Sequence, residues 1–410
     1  MKYINISQPG WNNEYLKPLL IDKNEMILVK IGTDLQNLKS KVSFEGFYKY
    51  NLLNGNTRRI DLPSSITYFY VFHYTNSIIY ASVSENEKEF IPTFYSIDFS
   101  ENINKLYTKR LNKFWHDEPY KETAQTLSGR VMAYPIDGNF TLFLEDQIND
   151  LEEFYNCLSS LNSYKLFVCK SGNSWITEVY DRTIFQDGID DIEVFNINEK
   201  NYLLLKTGLI DHNNKKGEWN YFKNREYKKE IRGFNESIML IEADNLTKQI
   251  GVNNKKVLYN RVETIGLQGS IYFLKRFDTK LFYGIKDFEE NKNQLVCYDL
   301  LRKSYKRWSI PEIYDNLVYD NKDIYAQVEE AECINLIGIT NNLKIRFPKD
   351  IGNYLALIDK KIVVTEQWSG SEEMIKTCIL YDVDKKSILE TITGKVGVEF
   401  FERDQAIVIY

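Results

Sequence analysis

The residues best suited to chemistry sit together in one short stretch, Phe114-Trp115-His116-Asp117-Glu118-Pro119-Tyr120. An imidazole beside two carboxylates could move a proton or help hold a cation, and an adjacent tryptophan could stack on a ligand. Only three histidines occur, His73, His116 and His212. His73 falls beside a turn at the opposite end of the strand pattern described below, so at most two could meet, and no histidine-based metal site is expected. Asp187-Gly188-Ile189-Asp190-Asp191 has the acidity of a calcium loop. It lacks the spacing D-x-D/N-x-D/N-G and the closing glutamate. No GxSxG, GxGxxG, HExxH or phosphate-binding GxxxxGK run is present. The standard hydrolase, nucleotide and zinc signatures are therefore missing, and neither cofactor nor metal is expected.

Aromatic residues form the second set. Of the 6 tryptophans, Trp11, Trp115, Trp219 and Trp368 fall in segments read as loops: 7–14, 111–127, 206–236 and 366–376. Aromatic side chains in loops are expensive to expose and are enriched where partners, peptides or sugars dock. Trp175 and Trp308 fall in or beside outer strands, where packing between sheets accounts for them. The longest loop, 206–236, carries Trp219, Tyr221 and Phe222 with Arg225, Lys228, Lys229 and Arg232. A loop of that length in a compact fold is functional or disordered, and its aromatic content argues against full disorder.

Composition limits the classes of partner. The chain of 410 residues carries 52 basic and 58 acidic residues, interspersed, for a net charge of −6. No basic stripe exists to neutralise a phosphate backbone, so nucleic-acid binding is not expected. Neither an apolar leader nor a membrane-length apolar run occurs, which argues against secretion and against a membrane span. The 5 cysteines, Cys157, Cys169, Cys297, Cys333 and Cys378, are scattered and odd in number. They read as reduced thiols of a cytoplasmic protein, with Cys297, Cys333 and Cys378 acting as small buried hydrophobes within strands.

The elements that must position these residues are strands. Runs rich in Ile, Val, Tyr and Phe alternate with turn residues about every 8–12 positions. One segment breaks the rule. Leu151, Phe154, Tyr155 and Leu158 have helical spacing and predict a short helix within a loop. One type of strand recurs as Phe94-Tyr95-Ser96-Ile97-Asp98-Phe99, Leu295-Val296-Cys297-Tyr298-Asp299-Leu300 and Ile379-Leu380-Tyr381-Asp382-Val383. A polar turn follows, then a basic-aromatic run such as Tyr305-Lys306-Arg307-Trp308. A hairpin of two apolar runs precedes each pair, with turns near 278, 321, 359 and 404, a spacing of about 40 residues.

This pattern resembles the β-propeller architecture, in which four-stranded blades are arranged around an axis. No GH…WD signature is present, so the resemblance is to the architecture and not to a WD40 protein. It implies an all-β single domain. The blades fall approximately at 13–63, 64–111, 127–183, 190–252, 264–311, 314–348 and 350–393. The leftover strands at 396–410 and 1–7 share an eighth, closing the ring between the two termini and removing exposed sheet edges. Seven blades is the alternative count.

Two functions follow from the loops. The first is a non-enzymatic scaffold that binds a macromolecular partner, a protein, through Trp11, Trp115, His116, Asp117, Glu118, Trp219, Tyr221 and Trp368. The second is a carbohydrate-binding or carbohydrate-active protein, with its site at the mouth of the central channel. There the tryptophans would be platforms and Asp117 or Glu118 the acid or base.

Overall fold

The computed structural model describes residues 2–6, 14–33, 42–113, 123–137, 139–146, 164–170, 176–179, 189–210, 234–247, 260–265, 269–287, 290, 292–310, 317–320, 323–341, 343–369, 375–394, 397–401 and 406–410. The protein is a β-propeller. Among the described residues, six sheets have four consecutive strands each, one has five, and an eighth has three. In blade one the strands are Glu14–Asp22, Glu25–Thr33, Val42–Asn51 and Thr57–Arg59. The next three blades span 68–112, 131–179 and 189–265. Blade five comprises Gly269–Phe277, Lys280–Asp287, Lys292–Asp299 and Ser304–Ile310. Blade six comprises Leu317–Asp320, Asp323–Glu329, Cys333–Gly338 and Lys344–Pro348. Blade seven comprises Asn353–Ile358, Ile362–Ser369, Ile375–Asp382 and Ser387–Gly394.

First strands touch first strands of neighbouring sheets, so they line the axis. Second strands lie mid-sheet with a neighbouring blade on each face, and their side chains are buried in unbroken runs at Ser77–Ala81 and Leu281–Gly284. Fourth strands are mostly exposed, as at Thr57–Arg59 and Ser304–Arg307. The core is divided into eight apolar clusters, and each one joins two adjacent sheets.

The ring closes through the eighth sheet, in the order Lys2–Asn5, Ala406–Ile409, Val398–Phe401. The two C-terminal strands are antiparallel, whereas the N-terminal strand lies parallel to Ala406–Ile409. Ile407 and Ile409 pack on blade seven, and Ala406 and Val408 pack with Phe401 on blade one. The termini therefore share one sheet, as the leftover strands of the sequence required.

Turn chemistry explains the repeated Asp or Asn. Asp299 Oδ1 accepts hydrogen bonds from the backbone N–H groups of Leu301 and Arg302, at 3.0 and 2.8 Å. Asn51, Asp98 and Asp382 cap the same turn in blades one, two and seven. A short polar side chain that bonds the backbone ahead of it suits such a turn. The following residue, Leu52, Leu300 or Val383, donates its N–H to a carbonyl of the inner hairpin turn, at Asn24, Thr279 or Lys361. The two turns at that end of the blade are thereby tied together. The inner hairpin turn itself needs left-handed backbone, which Asn198 and Glu199 supply at φ 50° and 64° and Asp278 at 49°.

Blade four departs from the expected limits. Its third strand, Phe234–Glu242, runs into a helical turn at Ala243–Thr247, so its fourth strand comes late, at Asn260–Ile265, beyond the expected boundary at 252. In blade two, Leu111–Asn112 adds a fifth strand beside Glu89 and Phe90, where a loop was expected to begin. The helix expected at 151–158 lies outside the described residues. No helix among the described residues is long and apolar enough to cross a membrane.

Candidate functional site

Blade five turns a patterned face toward blade six. Cross-strand register stacks its side chains in rows: Lys280, Asp299 and Ser304 nearest the turns, then Phe282, Cys297 and Lys306, then Leu295 and Trp308. Successive residues of a strand point to opposite faces, so all of these share one. The other face, with Leu281, Tyr283, Val296 and Tyr298, packs on blade four.

The seam between blades five and six has the smallest of the eight clusters: Phe277, Phe282, Leu295, Cys297, Ile310 and Ile324, with Trp308, Leu317 and Ile339 partly buried against it. Its turn-side end is polar, and there the blades part to leave a groove of about 390 Å³. Phe282, Cys297 and Trp308 line it from blade five, and Asp323 and Thr340 from blade six. Its lining is mostly polar and charged, with Phe282, Cys297 and Trp308 as the apolar part, a mixture that can hold a ligand or a partner's side chain.

The charges in the groove are unevenly committed. Asp299 is occupied with its turn. Asp323 accepts from the Thr340 hydroxyl at 2.8 Å and pairs with Lys360 of blade seven. Burial pushes the Asp323 carboxyl up, but Lys360, Thr340 and Asn341 outweigh it and hold it below the usual carboxylate range. Lys280 and Lys306 form no ion pair among the described residues. The Lys306 ammonium sits 5.0 Å from the centre of the Trp308 ring instead. Burial pushes the Cys297 thiol up, against the pull of Lys280 and Lys306. The thiol is thus protonated near neutral pH, and no imidazole lines the groove. The arrangement can bind. Among the described residues that line it, no base is paired with a nucleophile.

Most of the aromatic-loop residues, Trp11, Trp115, His116, Asp117, Glu118, Trp219 and Tyr221, lie outside the described residues. Trp368 stands within the second strand of blade seven, paired with Lys376, and not in a loop as expected. Sequence reading had Trp308 as packing between blades, and it does join that seam. What it missed is the row of Lys306 and Cys297 beside it, visible only once the register of the third and fourth strands is known. No group of three or more metal-ligating side chains occurs among the described residues. Cys169, Cys297, Cys333 and Cys378 are buried, and no disulfide joins them among the described residues.

No family model matches the chain, and no curated protein matches it in sequence. Among solved structures it is similar to the β-propeller domain of the Trilobed protease from Pyrococcus furiosus, at 10% identity and a TM-score of 0.43, covering 94% of this chain and 96% of that one. It is similar also to a post-proline cleaving enzyme from Rickettsia typhi, at 12% identity and a TM-score of 0.39, covering 90% of this chain and 49% of that one. A third is the acylaminoacyl peptidase of Pyrococcus horikoshii, at 9% identity and a TM-score of 0.38, covering 97% and 64%. The chain thus spans about half the length of the Rickettsia typhi enzyme.

Proposed function

We propose that the protein is a non-enzymatic scaffold that holds a protein partner against its ring, with the groove between blades five and six as its working surface. One observation supports this most: Lys280 and Lys306, both without an ion pair among the described residues, stand on the same face as the partly buried Trp308 beside an open concavity. Aromatic and cationic anchors around a desolvated pocket are the usual carriers of binding energy between proteins. The aromatic loops, with Trp219 and Tyr221, are a second contact surface in this reading.

The carbohydrate reading is weaker at this groove. A sugar platform needs the open face of the ring, and Lys306 lies over that of Trp308. Glycoside cleavage needs one protonated and one ionised carboxyl. Asp323 is held ionised by its partners, and Asp299 is spent on its turn.

Affinity capture from the native host tests the proposal, using the parent protein, Trp308→Ala with Lys280→Glu, and Trp219→Ala with Tyr221→Ala. Loss of a partner with the first pair supports the groove. Loss with only the second pair transfers the function to the loops, and the absence of any specific partner overturns the scaffold.

A further inference from the structure

We infer that the partner docks an acidic segment carrying one apolar side chain onto the outer hairpin of blade five, an inference that rests on the scaffold reading above. The hairpin is unusual in its charges. Arg302, Lys303, Lys306 and Arg307 occur within six positions without an acidic residue, in a chain of net charge −6. Arg307 is used internally, bonded to Glu263 of blade four at 2.7 Å. Arg302, Lys303, Lys306 and Lys280 form no ion pair among the described residues. Other exposed cations, such as Lys349 with Glu329 and Lys200 with Glu242, do have partners; what sets this hairpin apart is four cations within six positions.

The apolar half of the match is at the tip. Leu301 is 53% exposed there, fixed by its N–H bond to Asp299. Its burial contributes almost nothing to this fold, and a partner's apolar side chain gains by covering it. The adjoining groove, floored by Phe282 and Cys297, offers a pocket for that side chain. Of the two carboxylates of the groove, Asp323 is paired with Lys360, and Asp299, opposite Lys280, keeps its charge while it caps its turn, so the excess positive charge lies with Arg302, Lys303 and Lys306. A local excess of positive charge on a chain of net charge −6 draws an acidic partner toward this hairpin. Nucleic acid fits less well, because base stacking needs an open aromatic face and phosphates need a broader cationic field.

The test measures fluorescence anisotropy with the full chain and a labelled peptide of glutamates around one leucine. The controls are the same peptide with glutamines, the same peptide with alanine for leucine, oligo-dT, and phosphatidylserine vesicles. The glutamate peptide binds, added salt weakens it, and both peptide controls bind more weakly. The exposed double variant Lys303→Glu with Lys306→Glu weakens it by about tenfold or more. Equal binding by the glutamine peptide, equal binding by the double variant, no binding of the glutamate peptide, or tighter binding of oligo-dT or vesicles overturns the inference. The double variant also enters the capture experiment. A partner lost with Trp308→Ala but retained with the charge reversal leaves the scaffold standing and removes the acidic segment; no partner in any arm removes the scaffold itself.

Discussion

Ile4 lies directly beside Val408 in parallel register, and both side chains face the cluster shared with blade one. The ring is therefore closed by residues from opposite ends of the chain, through strands of four residues each. Ile4→Cys with Val408→Cys forms a disulfide under mild oxidation, because the paired positions bring their side chains together on one face. The crosslink closes a loop of nearly the whole chain and raises stability by about 2–5 kcal/mol over the reduced form. Non-reducing electrophoresis and denaturant titration check both points. Asn5→Cys with Val408→Cys places the thiols on opposite faces and stays reduced. Crosslinking in that pair instead would mean the register is wrong.

Much of this closure was legible in the sequence, because a propeller repeats its physics. Buried second strands give continuous apolar runs, and the turn after each third strand needs a cap, so Asp98, Asp299 and Asp382 mark it. The leftover strands at each end then had one place to go. Blade four was misjudged where the cap is absent, since Glu242 leads into a helical turn. The groove was not legible for a different reason. Cys297 and Lys306 are neighbours through hydrogen-bond register, and Asp323 meets Lys360 through the packing of two blades. Neither relationship leaves a mark in local spacing. Trp308 was visible, but its half-open position depends on how little apolar surface blade six offers it.

Asn335 is fully buried in the third strand of blade six, and its side-chain oxygen has no hydrogen-bond partner. Its amide nitrogen has only weak contacts, with the Cys333 sulfur at 3.9 Å and with the Glu330 carboxylate. Burying a polar group without satisfaction is costly, and an apolar group of similar shape removes that cost. Asn335→Leu therefore raises stability by about 1 kcal/mol, read as a higher urea midpoint with unchanged slope. A lower midpoint would show that the amide is worth more than its visible contacts.

The Asp323–Lys360 pair joins blades six and seven at the rim of the groove. Its carboxyl titrates lower in the folded protein than in the unfolded chain. The pair's stabilisation is complete above the ordinary aspartate value of about 3.9 and fades as the pH falls through the lower folded value. Lys360 is partly exposed, so the contribution is about 1 kcal/mol or less. Asp323→Asn lowers stability at pH 7 by that amount and by progressively less as the pH falls below about 3.9. Stability curves for the two proteins that run parallel across this range would refute the linkage.

Asp299 connects the fold to the proposed function, because one carboxylate oxygen fixes both Leu301 and Arg302 at the tip of the basic hairpin. Removing the acceptor leaves two exposed N–H groups to water and frees the turn. Asp299→Ala costs about 1–3 kcal/mol, the range for hydrogen bonds to a charged group. Asp299→Asn keeps an acceptor in place and loses less, since Asn51 caps the matching turn of blade one. Asp382→Ala in blade seven has a similar stability cost, but its turn lies away from the groove. Comparing the two alanine variants separates folding from binding. Both lower the urea midpoint, and only Asp299→Ala weakens the glutamate peptide, by releasing Leu301 and Arg302 from the geometry that presents them. Equal weakening in both would mean that peptide affinity follows overall stability and not the shape of this hairpin.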